Sequence, residues 1–486
     1  MEIAQAEHSE PGGWLRAIFP VHRKEALTVA LLALNCFILL LCYYVLKVVR
    51  EPLILLGGGA ELKSFASAGQ TILLIGVVPA FGWLASRVSR IRLMTTMQVI
   101  FIGCLVAFYV LAQAKAPIGL AFYIWLGIFN ALVVSNFWSF ANDLFSETEG
   151  KRLFALIGIG ASVGAIVGAY LPHLLFKVIG FDGLMMLAVV GLGLSIVLYQ
   201  IVDRRESARK QAKPKEKDAA QDKKDKRGGF SLVMRDKYLR TLALMLLVAT
   251  VINTTGEYVI SKIAEDRAQE HSRIAVQHQA SSAPAETQPT ADNGKSAEAE
   301  KPKADKPKDV GKEAENQYLS DFFSSYYFWV NIVGALLQIF LVARILVSLG
   351  LRKALFIMPV IVLFGWIGVF TFIGLTMVRI EKTAENSLDY SLHNTLRAAL
   401  FLPTSPEAKY KAKAAIDTFF FRMGDVIAGL GIVGLFVEVL HLGVHAFAIM
   451  NVILAAVWIL LAFRAGRLHD ELANKHPERE GEAKAV

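Results

Sequence analysis

The sequence predicts an all-α polytopic membrane protein of about 12 transmembrane helices in two six-helix halves. Three observations carry that expectation. The 486-residue chain is 55% hydrophobic, with a mean hydropathy of +0.46. Its apolar residues gather into runs of roughly twenty, the length that crosses a bilayer core. Two polar tracts, 203–240 and 264–316, interrupt the runs near the middle of the chain.

Taken in order, residues 1–24 form a polar segment of mixed charge. It has no short apolar core with a small-residue cleavage site, and Glu2, Glu7 and Glu10 are unlike an acid-poor transit peptide. Six spans follow near 25–47 (extendable to 56), 64–86, 93–113, 118–142, 153–176 and 183–202. The basic segment 203–240 is a solvated linker or a surface that attracts anionic lipid headgroups. Six more spans lie near 241–263, 320–347, 354–378, 384–403, 414–437 and 444–464, and residues 465–486 form a tail. Segment 264–316, rich in Ala, Glu, Lys and Pro, is expected to be a disordered outer loop. Its Gly294-Lys295-Ser296 triplet lacks the strand and glycine spacing of a phosphate loop.

Lys and Arg in the short loops set the orientation. Arg87, Arg90, Arg92, Lys151, Arg152, Arg344, Arg352, Lys353, Lys409, Lys411 and Lys413 fall on one side. Only Lys63, Lys115, Lys177, Arg379 and Lys382 fall in short loops on the other. Both termini are therefore expected in the cytoplasm, with the chain in the cell (inner) membrane. Cys36, Cys42 and Cys104 all lie within predicted spans, as buried thiols rather than a disulfide or metal framework. No metal, cofactor or nucleic-acid partner is expected. The chain has no HExxH, paired CxxC, GxSxG or complete Walker motif, so an enzyme is not expected either.

Charge inside the spans marks candidate function, because an ionised side chain at a helix centre costs roughly 2.5–3.5 kcal/mol. Lys47 and Arg50 share one face of the first span, with Glu51 a turn beyond Lys47 and Pro52 expected to kink the helix. These groups either snorkel at a membrane edge or line an internal cavity suited to phosphate or carboxylate. Arg50 is then the bidentate partner and Lys47 the point charge. In the seventh span, Asn253 and Glu257 share a face, with Lys262 beyond. Glu257 either balances the cations of the first span, reads or gates a substrate, or completes a structural pair.

In the fourth span Asn130, Asn136 and Asn142 accompany Trp138 and Phe140, as contacts for a base or as interhelical glue. In the eleventh span Arg422 and Asp425 read as an ion pair beside Asp417. His393 and Arg397 in the tenth span would add positive charge from the second half. Gly158, Gly160, Gly164 and Gly168 form a small-residue stripe that admits a close helix neighbour, or contacts substrate directly.

Several of these stretches resemble one family. YYVLKVVREPLIL is similar to the first helix of the bacterial and plastid ATP/ADP translocases, nucleotide transporters distinct from the mitochondrial carriers. In their R-D-x-x-K-D pattern Lys47 takes the first basic place, Arg50 the second and Glu51 the closing acid, while Val48 replaces the first acid. FWSFANDLFSETEGKRLFALIGIGAS (137–162), INTTGE (252–257) and KAKAAID (411–417) resemble further family segments. INTTGE carries one extra residue, and Leu126 stands where nucleotide-exchanging members have an acid.

The resemblance implies a major-facilitator-like bundle and counter-exchange of ATP for ADP and phosphate, or of related nucleotides, by alternating access. Lys47 and Arg50 would hold phosphates, helped by Arg397 and Lys413. Glu257 would gate or balance charge, and Glu51, Asp417, Arg422 and Asp425 would form charge pairs. Two other classes stay open. One is a proton-linked carrier of another organic anion using Glu257, Asp417 or Asp425. The other is a non-transporting scaffold working through 264–316.

Overall fold

The computed structural model describes residues 23–475 apart from 86, 89, 146, 212–228, 283–306, 402 and 406–411. Most of the N-terminal segment, the centre of the basic linker, Gly294-Lys295-Ser296, Lys409, Lys411 and the last residues of the tail lie outside this range.

An apolar chain in lipid must satisfy its backbone hydrogen bonds internally, and here helices do so. The helix Arg23–Ala85 bends at Gly58 and Gly59 into α1 (23–57) and α2 (60–85). Gly59 has φ of 74°, a left-handed value that glycine adopts without a Cβ clash. Next come α3 (Arg90–Gln113) and α4 (Gly119–Leu144). The helix Glu147–Gln211 turns at Gly180 (φ 60°) into α5 (147–179) and α6 (181–211). After a short helix, Gly229–Arg235, the second half begins with α7 (Lys237–Ser282).

α8 runs through Pro307–Leu337 and a π-helical turn, Gln338–Val342, to Gly350. α9 is Ile357–Thr371. α10 (375–400) contains a π-helical turn at Asp389–His393. α11 (413–439) carries π-helical stretches at Ile416–Phe420 and Ile427–Val439, and α12 is Val444–Lys475. Among the described residues, seven continuous helices are long and apolar enough to cross a membrane by themselves. Two of them each hold two spans, and the shorter or broken α9, α10 and α11 complete the twelve.

Two packed cores form, one within the first half and one mainly in the second that also takes in Tyr44, Val48 and Tyr123 of the first. Phe101, Phe122 and Phe129 anchor the first, and Tyr326, Trp366 and Trp458 the second. Within the first half the glycine stripe sets a backbone contact. A Cβ at Gly160, Gly164 or Gly168 would fall on the carbonyl oxygens of Ala33, Phe37 and Leu41 of α1, whereas one at Gly158 would meet nothing. The outward faces stay apolar: Val347 is 89% exposed, a surface that lipid rather than water covers.

Three boundaries differ from the sequence reading. α1 continues as helix through Pro52, and the bend comes at Gly58 and Gly59 instead. Lys63, Arg379 and Lys382, assigned to outer loops, lie inside α2 and α10, and Lys382 is wholly buried. Their charge lowered the local hydropathy and mimicked a loop, but Lys63 and Lys382 have buried carboxylate partners, and the half-buried Arg379 donates to Ser325 at 2.6 Å. The tract 264–316 is helical at both ends, because α7 runs to Ser282 and α8 starts at Pro307. These ends pack together, with His271 stacked on Tyr318 at 4.6 Å between ring centroids.

Candidate functional site

Because α1 does not stop at Glu51, its three charges sit within a helix flanked on both sides by apolar turns. They lie against a cavity of ≈ 270 Å³ between the halves. Ligand sites are concave and usually few, which makes this cavity the natural candidate. α1 contributes Tyr43, Lys47 and Arg50; α2 contributes Lys63, Ser64 and Ser67; α4 contributes Tyr123. From the second half come Asn253, Thr254 and Glu257, and Asn386, Asp389, Arg422 and Asp425.

The cations of the first half are held in graded fashion. Glu51, fully buried, forms an ion pair with Arg50. Its other oxygen lies 2.6 Å from the Lys63 ammonium, and the Tyr327 hydroxyl donates at 2.9 Å to the oxygen that pairs with Arg50. Arg50 also lies over the Tyr123 ring, with Cζ 4.3 Å from the centroid. Lys47 has no carboxylate partner among the described residues. Its ammonium instead faces the rings of Tyr327, at 4.1 Å, and Tyr44, at 5.3 Å. Such cation–π contacts hold a cation without cancelling its charge, so Lys47 keeps its attraction for an anion.

The second half supplies acids and amides. Glu257 faces Lys63 at 3.8 Å and Lys382 at 3.9 Å. It accepts hydrogen bonds from Asn386 at 2.9 Å and Tyr326 at 3.2 Å. Asn253 donates to Asn386 at 2.8 Å. Asp425 accepts from Thr254 at 2.7 Å and lies 3.7 Å from Arg422. The cavity is thus cationic on its first-half wall and mainly acidic or amidic on its second, where Arg422 sits beside Asp425.

Of the residues singled out from sequence, Lys47, Arg50, Asn253, Glu257, Arg422 and Asp425 line this cavity, and Glu51 lies directly behind it. The others are not brought there. Arg397 and Asp417 pair with each other at 3.0 Å. Lys413 lies over Phe401, its ammonium 5.9 Å from the centroid. Asn136 is half-buried and Asn142 exposed. Their aromatic neighbours pack within the first half, Trp138 on Phe154 and Phe140 on Tyr199. Glu257 meets cations of α2 and α10 instead of those of α1.

Sequence reasoning missed Lys63, Lys382, Tyr123, Tyr327, Asn386 and Asp389. The two lysines had been placed in loops. The tyrosines and Asn386 carry no spacing signal, because they converge only through packing between helices.

Several polar bridges join the halves on the face away from the termini. Lys262 pairs with Glu61 at 3.3 Å, Tyr258 donates to Glu61 at 3.0 Å, and Glu265 accepts from the Ala60 amide at 3.1 Å. His173 meets Asp321 at 2.9 Å. These contacts link the two halves on that face.

Among the described residues, twelve helices in two halves surround a charged central cavity, the arrangement of a major-facilitator-like fold. The family description of the Major Facilitator Superfamily matches residues 26–266. The nucleoside transporter NupG shares the fold with a TM-score of 0.55 at 14% identity, over 90% of this chain and 98% of that one. A POT family transporter in complex with a thioalcohol-conjugated peptide gives 0.59 at 12% identity, over 91% and 96%.

In sequence the chain is similar to the ATP/ADP translocases within that fold. ADP,ATP carrier protein 1 of Chlamydia pneumoniae is 22% identical over 94% of this chain and 95% of the relative. ADP,ATP carrier protein 2 of Chlamydia trachomatis is 25% identical over 47% and 53%.

Proposed function

We propose that this protein exchanges nucleotides across the membrane, ATP for ADP or a related pair, by alternating access of the central cavity. One observation carries the reading: Lys47, Arg50 and Lys63 converge on one cavity wall with a single carboxylate, Glu51, among them. Polyphosphate is the ligand that such a wall suits. Arg50 offers planar paired donors and the lysines offer point charges. The tyrosine rings beside them present flat apolar faces, and Asn253, Asn386 and Asp389 offer hydrogen-bonding groups on the far wall.

Binding would draw Arg50 and Lys63 from Glu51 toward phosphate, loosening the Lys63–Glu257 link between the halves. The empty carrier keeps that link, which favours exchange over return without cargo. No bond in the substrate need break, so the protein works as a carrier rather than an enzyme. The reading places both termini in the cytoplasm of a cell whose inner membrane holds the chain. Lys47, Arg50, Lys63 and Glu257 are its substrate-binding set.

The test is uptake of labelled ATP into proteoliposomes preloaded with ADP, against empty vesicles. Saturable uptake that depends on internal ADP is expected. Absence of uptake, or uptake that ignores the internal nucleotide, overturns the proposal.

A further inference from the structure

α10 carries a second charged cluster, behind the cavity and out of contact with it. Glu381 is 3% exposed and Glu385 is fully buried. They lie one helical turn apart, where side chains on a helix face each other. Lys382 donates to one oxygen of Glu385 at 2.8 Å. The other Glu385 oxygen and both oxygens of Glu381 have no hydrogen-bond partner among the described residues.

The groups facing this pair are Lys382 on the same helix, Glu257 of α7 near Lys382, and Asp389 one turn further along α10. Lys382 alone stands among the carboxyl groups of Glu381, Glu385 and Glu257. Its ammonium also donates to the Asn253 carbonyl at 3.1 Å.

A carboxylate held ionised in a buried site without a donor is strongly disfavoured. Two on adjacent turns repel each other in a medium that screens poorly, so ionising both at once is costly. One proton relieves both problems. A protonated Glu381 carries an O–H that donates to the orphan oxygen of Glu385, leaving a single negative charge for Lys382 to balance.

We propose that Glu381 and Glu385 form a proton-binding site that shares one proton, and that its occupancy is linked to anion binding in the central cavity. The proton comes from solvent onto a carboxylate oxygen and returns to solvent on release, with no other bond made or broken. Lys382 is the link, because it lies between Glu385 and Glu257. When the pair is doubly ionised, Lys382 is drawn to Glu385. When the proton is bound, Lys382 turns its charge toward Glu257. Glu257 then holds Lys63 less strongly, and Lys63 is freer for an anion. Proton and anion therefore favour each other's binding by the same factor. The anion's identity rests on the nucleotide reading above, whereas the proton site does not.

Two measurements on the full chain in lipid keep these apart. The first is infrared difference spectroscopy across a pH step, without substrate. The wild type is expected to show a deuterium-sensitive carboxylic-acid C=O band that is lost in both Glu381→Gln and Glu385→Gln. The second is nucleotide uptake into proteoliposomes under an imposed proton gradient. An inward gradient is expected to stimulate the wild type several-fold. Glu381→Gln, which keeps shape and a donor, is expected to retain exchange at symmetric pH and lose the stimulation.

A band unchanged in both variants, or a Glu381→Gln protein as gradient-sensitive as the wild type, overturns the proton site. A wild type that exchanges no nucleotide but keeps the assigned band defeats the nucleotide reading and supports the site.

Discussion

Arg50 and Lys47 sit on one face of α1, yet their surroundings assign them different tasks. Arg50 is tied to Glu51 and laid over Tyr123, while Lys47 meets only tyrosine faces among the described residues. Hydrogen bonds to charged groups contribute about 1.5–3 kcal/mol, and each 1.4 kcal/mol is tenfold in affinity. Arg50→Ala is therefore expected to raise the KM for nucleotide uptake roughly 10–100-fold. Arg50→Lys should recover only part of the loss, because one ammonium cannot make paired planar contacts.

Glu51→Gln should act on stability instead. Removing one partner of a buried charge pair costs about 3–5 kcal/mol, and thermal unfolding in detergent should report a lower midpoint. Two cations and an acid were legible in the sequence as a break in an apolar run. Lys63 and Lys382 were not. A window of hydropathy counts a buried, paired lysine as it counts a loop lysine, and only the fold supplies the partner that separates them.

α1 and α5 meet backbone to backbone, and three glycines of one stripe set that distance. Gly164→Val places side-chain atoms where the Phe37 carbonyl lies. Overpacking of this kind costs about 1–3 kcal/mol, so reduced yield and an earlier melt are expected. Gly158→Ala is the control, since nothing lies within 4 Å of the added carbon, and it should melt like the wild type. The stripe was visible as spacing, but its neighbour was not, because spacing names a face without naming what approaches it. The reading of α10 failed for the opposite reason. Its charged first turns hid the helix start, so span boundaries slipped by several residues while the number of spans survived.

Across the two halves, the bridges on the face away from the termini hold one state of the carrier. Lys262 pairs there with Glu61 across the halves at 3.3 Å, beside Glu265 one turn further along its own helix at 3.9 Å. Lys262→Glu turns attraction into repulsion and is expected to open that face. A cysteine at Ser67, which lines the cavity, should then react faster with a membrane-impermeant thiol reagent added to whole cells. Unchanged labelling would mean that these bridges do not hold the face shut.

The two-half architecture was legible because each span must carry its own apolar length, a local property. The bridging of the halves was not, since it depends on which ends of distant helices meet. α7 adds one practical consequence. At 46 residues and about 1.5 Å per residue, it is more than twice as long as a roughly 30 Å hydrocarbon slab is thick. Paired with the start of α8, it stands out of the micelle as a mast. A small protein of this fold otherwise gives particle images no landmark. The mast gives an electron-microscopist a fixed handle for alignment, and an antibody a rigid place to grip.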